Sequence, residues 1–252
     1  MEKPSSVNMN NKKIKRSKKR FFPNTLTIAN MFFGFLSIIL IMQGEYYNAG
    51  LFILLAGLLD IFDGKIARLL GISSKFGVEF DSLADTVSFC VAPSFLVYNL
   101  YSGNLPFILG AIISFTPLIC GTVRLAKYNL DTDENGHKSY FIGLSTPIST
   151  VTILAYMYFN NHIVGEGFYG NPNIALILVL ILGILMLSPI PFPKVPLITL
   201  KSSQSNTILL LILLICSLSL LIWRGFALLP ICLGYIITNT FLWMLKMRPK
   251  SI

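Results

Sequence analysis

Charged residues and histidines are scarce in this sequence. Only 12% of the 252 residues are charged and only two are histidine, whereas 54% are hydrophobic. Soluble domains usually have about 25% charged residues, so the composition argues against a water-soluble globular protein. The four cysteines lie singly, with no Cys-x2-Cys pair, which argues against the common zinc and redox motifs. A predicted membrane span separates His137 from His162, so these two residues cannot form one metal site.

Long apolar segments recur along nearly the whole chain. Segments of about 20 apolar residues are the length that a membrane-spanning helix needs. We therefore predict an all-α fold, a polytopic transmembrane bundle of about eight spans, with residues 1–19 as a basic tail without fixed structure and 20–252 as one transmembrane domain. The predicted spans are 25–42, 49–69, 78–100, 105–126, 140–159, 173–190, 206–222 and 225–245.

Basic residues are distributed unevenly between the predicted connections. All 20 lysines and arginines except Arg224 fall on the side of the membrane that holds both termini. Basic residues collect on the cytoplasmic side, so both termini are predicted to be cytoplasmic. The run NKKIKRSKKR near the start is typical of a segment that sets orientation and contacts anionic lipids. It gives no indication of a nucleic-acid partner.

Acidic residues are concentrated around one connection. Of the eleven in the chain, five fall within predicted spans: Asp60, Asp63, Glu79, Asp81 and Asp85. Asp60 and Asp63 are three residues apart, and Asp81 and Asp85 are four apart, so each pair lies on one helix face. Antiparallel helices with a short connection pack together. We therefore expect the four aspartates to converge at the cytoplasmic end of spans two and three.

The four aspartates would form a cluster of like charges, which repel unless cations or protons intervene. Carboxylate oxygens suit Mg²⁺, Mn²⁺ or Ca²⁺, and four carboxylates can bridge two such ions. Paired divalent ions bind diphosphates and stabilise charge during displacement at phosphorus. Arg68, one turn after Gly64, can add a forked donor to phosphate. The pattern indicates a metal-dependent enzyme with a phosphate-bearing substrate at the membrane surface.

Two other interpretations of the aspartates stay open. They can form ion pairs with Lys65, Arg68 and Lys75, although ion pairing does not account for the spacing on one face. They can also line the path of a cation transporter or channel. Transporters, however, usually place such groups near the membrane midplane in repeated halves, and the aspartate segment has no counterpart elsewhere in this chain.

Eight residues in this segment carry a family resemblance. The pattern Asp60-x2-Asp63-Gly64-x2-Ala67-Arg68-x8-Gly77-x3-Asp81-x3-Asp85 resembles the signature of the CDP-alcohol phosphatidyltransferases. The family implies a transmembrane helical bundle, usually a homodimer, that transfers a phosphatidyl group from a CDP-linked lipid to an alcohol. It also implies two divalent cations, Mg²⁺ or Mn²⁺ with Ca²⁺ as another occupant. The implied metal ligands are Asp60, Asp63, Asp81 and Asp85, with Asp85 also the general base. The implied contacts of the CDP-linked lipid are Asp60, Gly64, Ala67, Arg68 and Gly77.

Three further stretches resemble the phosphatidylserine synthase branch of that family: FPNTLTIANMFFGFLSI, CGTVRLAKYN and FIGLSTPIS. This likeness implies CDP-diacylglycerol as donor and L-serine as acceptor, with phosphatidylserine and CMP as products formed at the cytoplasmic face. The implied acceptor-binding residues are Arg124, Lys127, Tyr128 and Asn129. Arg124 can pair with the serine carboxylate, which the aspartates alone would repel.

The acceptor side also departs from that branch. Lys127 and Tyr128 stand where it usually has Arg and Phe, and Ser145 replaces a proline. Glycerol 3-phosphate or an inositol compound therefore stays open as the acceptor.

Overall fold

The computed structural model describes residues 25–70, 75–135, 140–193 and 227–247. The chain divides into two compact units, one ending at Ser88 and the other beginning at Phe89. The first contains α1 (Thr25–Met42), α2 (Tyr46–Leu70) and α3 (Lys75–Thr86), and a π-helical turn (Val87–Val91) follows α3. The second contains α4 (Ala92–Tyr101), α5 (Phe107–Ser114), α6 (Thr116–Asn135), β1 (Tyr140–Ile142), α7 (Thr146–Val164), α8 (Pro172–Leu187), β2 (Pro191–Pro193) and α9 (Leu228–Met247).

Five helical segments in the described ranges are long and apolar enough to cross a membrane: Thr25–Met42, Tyr46–Gly64, Phe76–Tyr101, Phe107–Leu130 and Leu228–Leu245. These confirm the predicted class, a helical integral membrane protein, and match five of the eight predicted spans. The predicted span 206–222 lies outside the described residues, as does the tail 1–19. Helix α8 is apolar but has only 16 residues, and α7 is outside this set because its sequence is rich in threonine and asparagine.

In the first unit, α1 ends in a glycine-dependent cap before α2 begins. Gly44 adopts a positive φ of 81°, a conformation that costs glycine little. The Gly44 amide donates to the Ile41 carbonyl at 3.1 Å, and the Glu45 amide donates to the Leu40 carbonyl at 2.9 Å. This pair of bonds is a Schellman motif. It satisfies the last carbonyls of α1 and lets the chain turn directly into α2.

Also in the first unit, α1 approaches Ser88 closely. A Cβ atom at Gly34 would lie 2.8 Å from the Ser88 Cα, nearer than carbon atoms pack. The Ser88 hydroxyl donates to the Asn30 carbonyl at 3.0 Å. Gly34 and Asn30 are one turn apart, so this face of α1 is held against the segment that follows α3.

In the second unit, a proline and a threonine account for the chain geometry after the π-helical turn. Pro93 has no amide hydrogen and cannot donate to the Phe89 carbonyl four residues earlier. That carbonyl instead accepts a hydrogen bond from the buried Thr150 hydroxyl at 2.8 Å. A polar residue of α7 thereby satisfies a backbone group that the proline leaves without its helical donor.

The core of the second unit forms where α6, α7 and α8 pack with α4 and α9. Tyr101, Leu144, Leu182, Met186 and Phe192 are each at most 2% exposed there. Strand β1 pairs antiparallel with β2, with Phe141 opposite Phe192. Gly143 (φ 79°) comes just after β1 and lies against the end of α8. An added Cβ atom there would collide with the Met186 carbonyl group. The loop before α7 is therefore fastened to the end of α8.

The predicted boundaries of spans four to six are wrong in part. Residues 140–142 form β1, and helix α7 begins at Thr146, because the positive φ of Gly143 is incompatible with a helix. Helix α8 ends at Leu187 because Ser188 precedes a proline and is extended (ψ 155°). Helix α6 continues to Asn135, beyond the predicted residue 126.

Candidate functional site

Three of the four aspartates that were predicted to converge lie close together in the first unit. Asp60 and Asp63 lie three residues apart on α2, and Asp81 lies on α3. One carboxylate oxygen from each lies within 4.8 Å of the others. Asp63 is only 3% exposed, while Asp60 and Asp81 are partly exposed. This pair of helices therefore forms a compact acidic centre that is buried on one side and accessible on the other.

The donor set of this acidic centre fits a hard divalent cation. Asp63 Oδ1 and Asp81 Oδ1 are buried and have no hydrogen-bond partner among the described residues. A buried acceptor without a partner costs about 1–3 kcal/mol, more when it is charged, and neighbouring carboxylates also repel. A cation would satisfy both oxygens and neutralise the repulsion. Oxygen ligands of this kind suit Mg²⁺, Mn²⁺ and Ca²⁺.

Asp85 lies one turn after Asp81 on α3, on the same side of the helix. It is 9% exposed, and its Oδ1 accepts a hydrogen bond from Asn30 Nδ2 at 3.3 Å. Asp85 is not one of the three aspartates whose carboxylate oxygens lie within 4.8 Å of one another. Glu79, outside the aspartate stripe, is exposed on α3. The helix thus presents Asp81 and Asp85 to the interior and turns Glu79 outward.

The remaining residues of the predicted donor site lie on the same helices. Gly64 is in α2 and Gly77 is in α3, close in sequence to the aspartates that they accompany. Ala67 and Arg68 belong to the last turns of α2, but their side chains lie outside the described residues, as do those of Lys65 and Lys75.

A polar stripe on α1, which the sequence analysis missed, contacts the acidic centre. Thr27, Asn30, Gly34 and Ser37 are all buried, whereas the apolar side chains on the opposite face, such as Phe32 and Phe35, are more than half exposed. The Thr27 hydroxyl donates to Asp63 Oδ2 at 2.9 Å, and Asn30 donates to Asp85. The signal was the spacing of these four residues at three- and four-residue intervals within an apolar segment.

The second unit contains a small pocket with both polar and apolar lining residues. Arg124, Lys127 and Tyr128 line it, and a cavity of about 90 Å³ opens between them and residues Ile142, Met186, Leu187 and Ser188. Arg124 is 7% exposed, and its Nη1 donates to the Thr146 hydroxyl at 3.5 Å. Three of the four predicted acceptor residues therefore line one pocket, and Asn129 is not among its lining residues.

Two polar residues near Arg124 were not assigned by the sequence analysis. Thr146, which accepts from Arg124, lies at the start of α7, where the chain leaves the Gly143 turn, and Ser188, which lines the pocket, lies just past the end of α8. Both fall in stretches rich in proline and serine. Their proximity to Arg124 depends on the fastening of the loop before α7 to the end of α8.

Comparison with known proteins agrees with these features. Residues 20–189 match the family model of CDP-alcohol phosphatidyltransferases. The CDP-diacylglycerol–serine O-phosphatidyltransferase of Helicobacter pylori (strain ATCC 700392 / 26695) is 34% identical over 228 residues, 90% of this chain and 92% of that protein. The protein of the same name from Bacillus subtilis (strain 168) is 37% identical over 69% of this chain and 90% of its own. The archaetidylserine synthase of Methanothermobacter thermautotrophicus is 34% identical, covering 74% of this chain and 75% of that protein.

The chain therefore belongs to the CDP-alcohol phosphatidyltransferase family. Its acidic centre lies on membrane helices, in the segment that carries the resemblance to the family signature.

Proposed function

We propose that this protein transfers the phosphatidyl group of CDP-diacylglycerol to the hydroxyl of L-serine, which yields phosphatidylserine and CMP. The observation that carries the proposal is the convergence of Asp60, Asp63 and Asp81 within 4.8 Å in a chain of this family. The names of the relatives from Helicobacter pylori and Bacillus subtilis specify a serine acceptor, and the third relative is named as an archaetidylserine synthase.

The proposed cofactors are two divalent cations, Mg²⁺ or Mn²⁺ with Ca²⁺ as another occupant. Asp60, Asp63, Asp81 and Asp85 would hold them. When bound, such cations neutralise a diphosphate and stabilise the charge that develops on the leaving group. The buried oxygens of Asp63 and Asp81, which have no hydrogen-bond partner in the described part of the chain, support this assignment.

The proposed chemistry is one displacement at the phosphorus bonded to diacylglycerol. The serine oxygen forms a bond to that phosphorus, the bond to the CMP oxygen breaks, and Asp85 Oδ takes the proton of the serine hydroxyl. Arg68 would donate to the phosphates of the nucleotide. The small residues Gly64, Ala67 and Gly77, with Asp60, would border the cytidine nucleotide, where short side chains allow it to approach the helix backbones.

The proposed acceptor residues are Arg124, Lys127, Tyr128 and Asn129. Serine carries one carboxylate, and the planar guanidinium of Arg124 can bind it through two parallel hydrogen bonds. These residues border one pocket of about 90 Å³, with the exception of Asn129. The names of the relatives from Helicobacter pylori and Bacillus subtilis support serine as the acceptor.

The proposed topology has eight spans with both termini in the cytoplasm and the active site at the cytoplasmic face. The asymmetry of the basic residues supports it. We also propose a homodimer in the membrane, by resemblance to the family, with residues 20–252 as one transmembrane domain.

A direct assay tests the function. Purified full-length protein in detergent is incubated with CDP-diacylglycerol, Mn²⁺ and one labelled acceptor at a time. We expect CMP release to require serine, to stop after chelation with EDTA and to return when Mn²⁺ is added. Transfer to glycerol 3-phosphate or inositol instead of serine would show that the acceptor is that compound and not serine. Metal flux into liposomes without any CMP release would favour a transporter.

A further inference from the structure

We propose that Thr27 and Asn30 of α1 are positioning residues of the metal centre, and that their hydrogen bonds orient the carboxylates of Asp63 and Asp85. This inference rests on the proposed function. It assigns a role in the reaction to a helix that carries none of the acidic residues of the family signature.

The first contact divides the two oxygens of Asp63. Its Oδ2 accepts the Thr27 hydroxyl at 2.9 Å, whereas its buried Oδ1 has no hydrogen-bond partner among residues that the structure describes. Thr27 is itself only 5% exposed, so water does not compete for the hydroxyl. The hydrogen bond thus fixes the rotation of the carboxylate and leaves one oxygen for a cation. Partners of this kind commonly tune the ligands of metal sites.

The second contact defines the orientation of the Asn30 amide. The Asn30 Nδ2 atom donates to Asp85 Oδ1 at 3.3 Å, the orientation that suits a carboxylate acceptor. Asn30 is 0% exposed, and its own Oδ1 has no partner within the described ranges. A buried amide that leaves its oxygen unsatisfied is a poor choice for stability alone. Donation to Asp85 accounts for its presence.

The backbone of α1 is fixed where these side chains begin. Ser88 donates to the Asn30 carbonyl at 3.0 Å, and the missing side chain of Gly34 lets α1 lie directly against Ser88. Asn30 therefore reaches Asp85 from a backbone that is held in place. The same small and polar face of α1 provides both the close approach and the donors.

Thr27 offers a matched pair of variants. Thr27→Val keeps the shape of the side chain but removes the donor, whereas Thr27→Ser keeps the donor. Ser37→Ala is the control, because Ser37 is buried on the same face of α1 but donates to the Gly34 carbonyl of its own helix. The affinity for Mn²⁺ is measured without lipid substrate, from the electron paramagnetic resonance signal of free Mn²⁺, on full-length protein in detergent.

We expect Thr27→Val to weaken Mn²⁺ binding by about 10- to 100-fold, the usual effect of losing a partner of a metal ligand. Thr27→Ser and Ser37→Ala should stay within about threefold of the wild type, well below that range. Equal Mn²⁺ affinity in Thr27→Val and the wild type would overturn the role of Thr27, and so would an equal loss in Thr27→Ser.

Asn30→Leu tests the second contact, since leucine has the same branching but no donor or orphaned oxygen. We expect its kcat for CMP release to fall by at least about tenfold, as for other supporting partners, while the melting temperature does not fall. A lower melting temperature with an unchanged kcat would show a merely structural role and overturn the assignment. If the wild type neither binds Mn²⁺ nor releases CMP, the proposed function itself fails. Failure of the positioning role, by contrast, would show only in the comparison of the variants with an active wild type.

Discussion

Gly34→Ala is the sharpest test of how α1 is placed beside the acidic centre. The new Cβ atom would lie 2.8 Å from the Ser88 Cα. Carbon atoms pack at about 3.5–4.0 Å, so α1 must move away by about 0.7 Å or more. Rotation of the Ser88 side chain cannot relieve this contact because the obstacle is a backbone atom.

The same movement would disrupt the contact between Asn30 and Asp85, since Asn30 lies one turn before Gly34. Its hydrogen bond is already 3.3 Å long, and a further 0.7 Å would take it to about 4.0 Å, past the roughly 3.6 Å at which a side-chain contact no longer counts as a hydrogen bond. Overpacking costs about 1–3 kcal/mol of stability, and loss of the Asn30 contact should lower turnover. We therefore expect a loss of both stability and turnover.

The assay compares unfolding in detergent and metal-dependent CMP release for Gly34→Ala and a control, Gly234→Ala. Gly234 lies in α9 with no atom within 4 Å of an added Cβ, so alanine there should leave activity unchanged. It should also raise stability slightly, by about 0.5–1 kcal/mol, through helix propensity. Wild-type stability and turnover in Gly34→Ala would refute the proposed packing of α1.

Three further predictions concern other parts of the molecule. Asp85→Asn should lower kcat by about 10²–10⁴-fold, the usual contribution of a general base. Its circular dichroism spectrum without Mn²⁺ should match that of the wild type, and wild-type turnover would exclude Asp85 as the base. Arg124→Lys should raise the KM for serine by about 10- to 100-fold, since a bidentate charged contact is lost, and an unchanged KM in steady-state assays would remove Arg124 from the acceptor site. Thr150→Val should lower the free energy of unfolding by about 1–3 kcal/mol, because the Phe89 carbonyl loses its donor; Thr150→Ser should retain most of the stability, and equal losses in chemical unfolding would contradict the explanation.

The acidic centre could be predicted because its spacing is local. Asp60 and Asp63 share a helix face whatever else the chain does, and the short connection between α2 and α3 brings Asp81 alongside. The bounds of α1 were also predicted correctly, at 25–42. A long apolar segment favours a helix, and a glycine just after it favours the end of that helix.

The partners on α1 could not be deduced from local spacing. Thr27 and Asp63 are 36 residues apart, and Asn30 and Asp85 are 55 apart. The spacing of polar and small residues on α1 was a signal that the sequence analysis missed, and it does not show which carboxylate each donor meets. The predicted start of the fifth span, at residue 140, was wrong for a related reason. Residues 140–142 pair with β2, which is a contact between segments distant in the sequence.

The sequence by itself determined that the protein is a helical membrane protein with a cluster of aspartates that could hold a metal ion, because hydropathy and helical periodicity act over one or two turns. The tertiary structure alone decided which residues donate hydrogen bonds to those aspartates and which line the pocket around Arg124. Those pairings depend on how closely helices approach one another. A close approach is set by single contacts such as Gly34 against Ser88, and the periodic pattern of the sequence does not indicate such contacts.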